Sequence, residues 1–145
     1  LFLFGDGLNR KKYRDIANRR PFRDRIHFMG YKEDVIQWVA GSDSLVLSSI
    51  EHESLTKSVI EAMSVKTPVI ITDIPGNKEL LIDGQSGLKV PPKNGKAIYQ
   101  AAKRLFTNPA LRNKLSMQGR QRIEEKISHE ETVREYNKFI REICL

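Results

Sequence analysis

Ser44-Leu45-Val46-Leu47-Ser48-Ser49-Ile50-Glu51-His52-Glu53-Ser54-Leu55-Thr56-Lys57-Ser58-Val59-Ile60-Glu61-Ala62-Met63 is the stretch on which the fold turns. Ser44–Leu47 is a short apolar run with the character of a buried strand, and Thr56–Ser64 is a good helix former. Between them lies a polar turn. In a parallel α/β sheet, ligands sit just past the carboxyl ends of the strands. A helix that starts there offers unpaired backbone N–H groups and the positive end of its dipole, which suits phosphate or sugar oxygens.

Working outward, the flanking sequence repeats the pattern. Leu1–Phe4 reads as a strand, Gly5-Asp6-Gly7 as a turn, and Asn9–Asn18 as a helix with Tyr13, Ile16 and Ala17 inward. Arg19-Arg20-Pro21-Phe22 ends that helix, because proline disfavours helix in the residue before it. Arg25–Met29 is a second strand closed by Gly30-Tyr31, and Lys32–Ala40 a short helix on which Trp38 helps to cover the sheet. Thr67–Thr72 is an unbroken apolar strand, expected to be buried on both faces. Asp73–Asn77 leads into a helix over Lys78–Ile82, Gly84–Gly87 turns, and Leu88–Val90 is a strand stopped by Pro91-Pro92. Asn94 is placed to cap a helix through Thr107, and Asn108 with Pro109 to open the next. Ser128-His129-Glu130-Glu131 has the form of a capping box for a last helix. Five strands alternating with helices predict an α/β fold, a Rossmann-like doubly wound parallel sheet with C-terminal helices.

Length and composition set bounds. A chain of 145 residues suits one domain with a sizeable core. The single cysteine, Cys144, excludes an intramolecular disulfide framework and a cysteine-rich metal site. Leu1 stands inside an apolar strand pattern with no initiator Met, so residues 1–145 read as a single domain cut from a longer chain. The net charge of +7 is concentrated in Arg10, Lys11, Lys12, Arg14, Arg19, Arg20, Arg23 and Arg25, opposed locally by Asp15 and Asp24. Such a cluster attracts phosphates, nucleic acid or anionic membrane, or is simply a solvated helix face. No aromatic interleaving or nucleic-acid motif accompanies it, so no nucleic-acid partner is expected.

Several catalytic patterns fail. Gly5-Asp6-Gly7 starts like a dinucleotide fingerprint, but Arg10 stands where the third glycine belongs. His52-Glu53 starts a zinc-protease motif, but Thr56 replaces its second histidine. There is no phosphate-loop Gly-Lys-Ser/Thr and no Gly-x-Ser-x-Gly elbow. What remains is Glu53 and Glu61, eight positions apart. With Glu53 in the turn and Glu61 on the helix, both carboxylates can border one pocket, and an ionised carboxylate accepts charge-assisted hydrogen bonds from sugar hydroxyls. Two solvated glutamates are the plain alternative.

Taken in order, Gly5-Asp6-Gly7, Arg25–Gly30, Ser44–Ser49, Glu53-x7-Glu61-Ala62-Met63, Pro68-Val69-Ile70, Gly76-Asn77-Lys78-Glu79-Leu80 and Gly84-x-x-Gly87-Leu88-x-Val90-Pro91 resemble the C-terminal, donor-binding domain of GT4-type retaining glycosyltransferases, one half of a GT-B fold. The resemblance covers nearly the whole chain. It implies that Glu53 contacts donor-sugar hydroxyls and stabilises oxocarbenium charge, and that Glu61 holds the ribose hydroxyls. Backbone groups of Ser54, Leu55, Thr56 and Lys57 would meet the sugar and diphosphate. Tyr31 would approach the base, and Gly5 would let the backbone come close to the nucleotide. Apart from the resemblance, His52 beside Glu53 is a candidate for donor contact, and Glu79 either positions the nucleotide-side loop or is a first-turn helix glutamate favoured by the dipole. His27 reads as a packed or edge strand residue and His129 as helix surface.

The donor implied is a UDP- or GDP-sugar, used without metal or other cofactor in polysaccharide biosynthesis. The acceptor implied is a carbohydrate or lipid-linked molecule, bound by an N-terminal domain outside this sequence. That setting is cytoplasmic, with peripheral contact to an anionic membrane, and the isolated piece is expected to be inactive. Ser54-Leu55-Thr56 departs from the Gly-Phe-Gly usual in the family, and the Arg and Lys that clamp the diphosphate there lie upstream of Leu1. The rival expectation is a non-catalytic nucleotide-sugar-binding or regulatory module.

Overall fold

Short apolar runs become strands and the amphipathic segments between them become helices. The computed structural model describes residues 1–51, 56–75 and 80–126. Its elements run β1 (Phe2–Phe4), α1 (Arg10–Asn18), a single 3-10 turn at Arg23–Arg25, β2 (His27–Gly30), α2 (Val35–Ala40), β3 (Leu45–Leu47), α3 (Lys57–Ser64), β4 (Val69–Thr72), β5 (Leu88–Val90), α4 (Gly95–Thr107) and α5 (Pro109–Lys126). The chain falls into two compact units, Leu1–Gln37 and Trp38–Leu145. Each carries a parallel sheet, β1-β2 in the first and β3-β4-β5 in the second. Parallel strands, with α1 between β1 and β2 and α3 between β3 and β4, make this an α/β, Rossmann-like chain, as the alternation predicted.

In the first unit Phe2 pairs with His27 and Leu3 with Phe28, and the register slips before Phe4 meets Gly30. The His27 ring stacks on Phe2 at 5.1 Å between centroids. The Arg14 guanidinium lies over the Phe28 ring, 5.5 Å from its centroid. Of the three residues expected inward on α1, only Ala17 is buried; Tyr13 and Ile16 are exposed. A cation–π contact with Arg14 and the small Ala17 turn the helix so that its bulkier apolar side chains lie outside the packing. Arg25 closes the 3-10 turn, and β2 begins two residues later.

In the second unit β4 lies between β3 and β5, so Val69, Ile70, Ile71 and Thr72 are all buried. That is the physical meaning of its unbroken apolar run. Ile70, Leu88, Val90, Ala101, Leu105 and Leu115 form one core, uniting the sheet with α4 and α5. Gly87 is required by space: a Cβ there would stand 2.7 Å from Leu81 Cδ2 and 2.9 Å from Val69 Cγ2. The caps fall where expected. The Asn94 side chain accepts from the Ala97 N–H at 3.0 Å, and that of Asn108 from the Leu111 N–H at 2.9 Å.

The helix expected over Lys78–Ile82 is not present at Leu80–Ile82; residues 78 and 79 lie outside the described residues. Leu80 and Leu81 drive into the core from a non-helical turn. Their stretch finds its backbone partners elsewhere: Arg122 Nε donates to the Leu80 carbonyl at 2.9 Å, and the Ile82 N–H donates to Ser86 Oγ at 2.9 Å. The capping box at Ser128–Glu131 also lies outside the described residues.

α3 ends at Ser64 with Val65 as its C-cap and Lys66 in the left-handed region at φ 60°. The Thr67 N–H returns to the Ala62 carbonyl and the Lys66 N–H to that of Met63, which is a Schellman closure. α5 crosses this end and stitches it down by side chain to backbone. The Ser116 hydroxyl donates to the Lys66 carbonyl and the Arg120 guanidinium to that of Ser64.

Candidate functional site

In each unit the candidate residues stand at strand exits. In the second unit, β3 leaves the sheet at Leu47, and Thr72 at the end of the adjacent β4 donates its hydroxyl to the Ser49 carbonyl at 2.6 Å. This bond fixes the first residues of the loop that leads toward α3. Thr56 takes the N-cap position of α3 with extended backbone, and its carbonyl accepts from the Val59 and Ile60 N–H groups at 3.0 and 3.3 Å. No acidic side chain stands in the first turn of this helix. Its positive end is therefore not neutralised from within the turn.

Val59, Ala62 and Met63 form the buried face of α3. Glu61 sits at the border of that face, with its side chain 35% exposed and an oxygen 3.4 Å from Lys57 Nζ. Lys57 itself is 90% exposed, so this i,i+4 pair is a surface contact of small energy. The structure thus brings Thr56, Lys57 and Glu61 together on one helix past the β3 exit. Glu53, Ser54 and Leu55 lie outside the described residues, as do His52 and Glu79.

In the first unit, Gly5 and Tyr31 follow β1 and β2 at the same end of their sheet. Gly5 has φ +103°, and its N–H donates to the Gly30 carbonyl at 2.8 Å. A Cβ built at Gly5 or at Gly7 would meet nothing within 4 Å, so the ground beside this backbone is open. The Tyr31 side chain is exposed, while its N–H donates to Asp6 Oδ2 at 3.0 Å. The other Asp6 oxygen pairs with the Arg10 guanidinium.

Sequence reasoning passed over Asp6, Arg10 and Thr72. Asp6 and Arg10 carried a signal, the i,i+4 acid–base spacing across the start of α1. Thr72 carried another: a hydroxyl closing an otherwise apolar strand is a buried polar group that must find a partner. Among the described residues, no three His, Cys, Asp or Glu side chains cluster as metal ligands, and no helix is long and apolar enough to cross a membrane.

The sequence profile of the family described as "Glycosyl transferases group 1" matches residues 1–122. The chain is 28% identical over 130 residues to the lipopolysaccharide core biosynthesis glycosyltransferase LpsE of Rhizobium meliloti, covering 90% of this chain and 38% of that protein. It is 28% identical over 113 residues to the alpha-D-kanosaminyltransferase of Streptomyces kanamyceticus, covering 77% of this chain and 29% of that protein. Each of these relatives is therefore far longer than the present chain. In fold, Anabaena HepE solved in complex with UDP superposes with a TM-score of 0.85 at 20% identity, over 99% of this chain and 40% of that one. A structure of HepE in complex with UDP-glucose is similar at a TM-score of 0.84.

Proposed function

The chain belongs to the group 1 glycosyl transferases and has the fold of the C-terminal half of a GT-B enzyme; from that premise we propose that it is the donor-binding domain of a retaining, GT4-type glycosyltransferase. The donor is a UDP- or GDP-hexose and the acceptor a carbohydrate or lipid-linked molecule. The observation that carries the reading is the placement of Glu61 on α3, a helix whose first turn holds no acid, just past the exit of β3. The relatives' names and the UDP and UDP-glucose complexes of HepE support the substrate class.

In this reading Glu61 accepts from the ribose hydroxyls, and Glu53 accepts from the donor sugar and stabilises positive charge at its anomeric carbon. The bond from that carbon to the diphosphate breaks, the acceptor oxygen forms the new one, and the acceptor's proton leaves with the diphosphate. Backbone groups of Ser54, Leu55, Thr56 and Lys57 contact the sugar and diphosphate, Thr56 and Lys57 from the N-terminal end of α3. The reaction in this reading needs no metal. Gly5 admits the nucleotide and Tyr31 lies against the base. Acceptor binding, further positive charge on the diphosphate and full activity come from the N-terminal domain of the complete protein, which works in the cytoplasm. The exposed cluster from Lys11 to Arg25 faces the anionic inner leaflet.

The test is an NMR titration of this chain with UDP, GDP, ADP and their sugars. Resonances of Tyr31, Thr56 and Glu61 should shift at millimolar ligand, and no sugar transfer should occur. If none of them moves, the donor-site reading fails. In the full-length protein, Glu53→Gln should lose nearly all turnover; full turnover would favour a regulatory sugar-nucleotide module instead.

A further inference from the structure

We infer that Asp6 is a positioning residue that sets the path of the loop after β2, an inference that rests on the nucleotide-site reading above. Asp6 follows the turn glycine at the end of β1, and Tyr31 follows β2, 25 positions later in the chain. One Asp6 oxygen accepts from the Tyr31 N–H at 3.0 Å, and the other is held by the Arg10 guanidinium from the first turn of α1. The Gly5 N–H adds a bond to the Gly30 carbonyl at 2.8 Å. Two strand-exit loops are thus joined at the main chain of residues 30 and 31.

The surroundings are shaped to this carboxylate. Gly30 has φ +69°, and a Cβ on it would stand 3.3 Å from Asp6 Oδ2 and 3.5 Å from Arg10 Nη2. The Asp6 and Arg10 side chains are 48% and 38% exposed, and ion pairs so open to water stabilise a fold little. What the pair does is geometric. Arg10 fixes the carboxylate rotamer, the carboxylate fixes the Tyr31 amide, and the exposed Tyr31 side chain is thereby aimed from a settled backbone beside the open ground at Gly5 and Gly7. Asp6 acts through Tyr31 and touches no ligand itself. Its effect falls on nucleotide affinity and on the choice among bases.

The experiment is equilibrium titration of the natural full-length protein and its variants with UDP, GDP and ADP, together with KM and kcat for the preferred nucleotide sugar. Asp6→Ala should weaken the preferred diphosphate about tenfold and narrow its margin over the other two by a similar factor, as expected for one lost charge-assisted hydrogen bond. KM should rise by more than kcat falls. Asp6→Asn keeps an acceptor for the Tyr31 N–H and should restore most of both. If Asp6→Ala folds poorly, Arg10→Met frees the carboxylate and should narrow the same margin by about threefold. A changed melting temperature with base preference and the KM-to-kcat split intact overturns the inference. Wild-type protein that binds none of the three diphosphates refutes the nucleotide reading, and this inference falls with it. Wild-type binding with unaltered preference in Asp6→Ala refutes this inference alone.

Discussion

Replacing Thr72 with valine removes one buried hydroxyl and almost nothing else. Thr72 lies at the end of β4 and is 1% exposed, with its hydroxyl 2.6 Å from the Ser49 carbonyl. Valine has the same shape, so no cavity opens. The loss includes the hydrogen bond to the Ser49 carbonyl and the cost of taking a hydroxyl partner from a partly buried carbonyl, together about 1.5–2 kcal/mol. Unfolding entropy of about 2.1 cal/mol/K per residue then puts the fall in melting temperature near 5 °C for a chain of this length. Urea unfolding followed by circular dichroism is the assay, with Thr72→Ser as the control that keeps the hydroxyl and gives up a methyl group. Thr72→Val should shift the midpoint without changing the slope. If Thr72→Val loses less than about 0.5 kcal/mol, the bond is not what holds the β3 exit, and the account of the loop is wrong.

Other substitutions probe other parts of the argument. Gly87→Ala puts a Cβ 2.7 Å from Leu81 and 3.1 Å from the Val69 carbonyl, and should cost about 2–3 kcal/mol by denaturant titration. Lys66→Gly removes a side chain from φ 60° and should stabilise the chain by about 1 kcal/mol, seen as a raised midpoint. Glu61→Gln should leave stability within about 0.5 kcal/mol, because its partner Lys57 is solvated, yet weaken nucleotide binding roughly tenfold by isothermal titration. Equal affinity in that variant would remove Glu61 from the site.

The strands were legible because each is a short apolar run between turn residues, and β4 advertised its central place by lacking any polar interruption before Thr72. The caps of α4 and α5 were legible because an asparagine cap is local chemistry. Leu80-Leu81 was not, since two adjacent apolar residues look the same in a helix and in a turn pinned by Arg122 from 42 positions away. The rotation of α1 was hidden for a like reason: an arginine stacked on Phe28 is invisible to a pattern that counts only apolar residues as inward. At the candidate site the Glu53-x7-Glu61 motif was plain in the sequence. The bonds that tie down the strand exits, Thr72 to Ser49 in the second unit and Tyr31 to Asp6 in the first, span 23 and 25 positions and leave no periodic trace.

α5 has a consequence for the order in which the second unit assembles. It reaches Asp43, Ser64, Lys66 and Leu80 through Arg112, Arg120, Ser116 and Arg122, at separations of 69, 56, 50 and 42 residues. Nearly every acceptor is a loop or helix-end carbonyl that exists only once its own segment has formed. Closing loops of that length is entropically expensive before any contact is made. We predict from this that the polar bonds of α5 form late, after the rate-limiting step of folding. Weakening them should leave the refolding rate nearly untouched and speed unfolding instead, so α5 acts as the latch that governs how long the folded unit lasts.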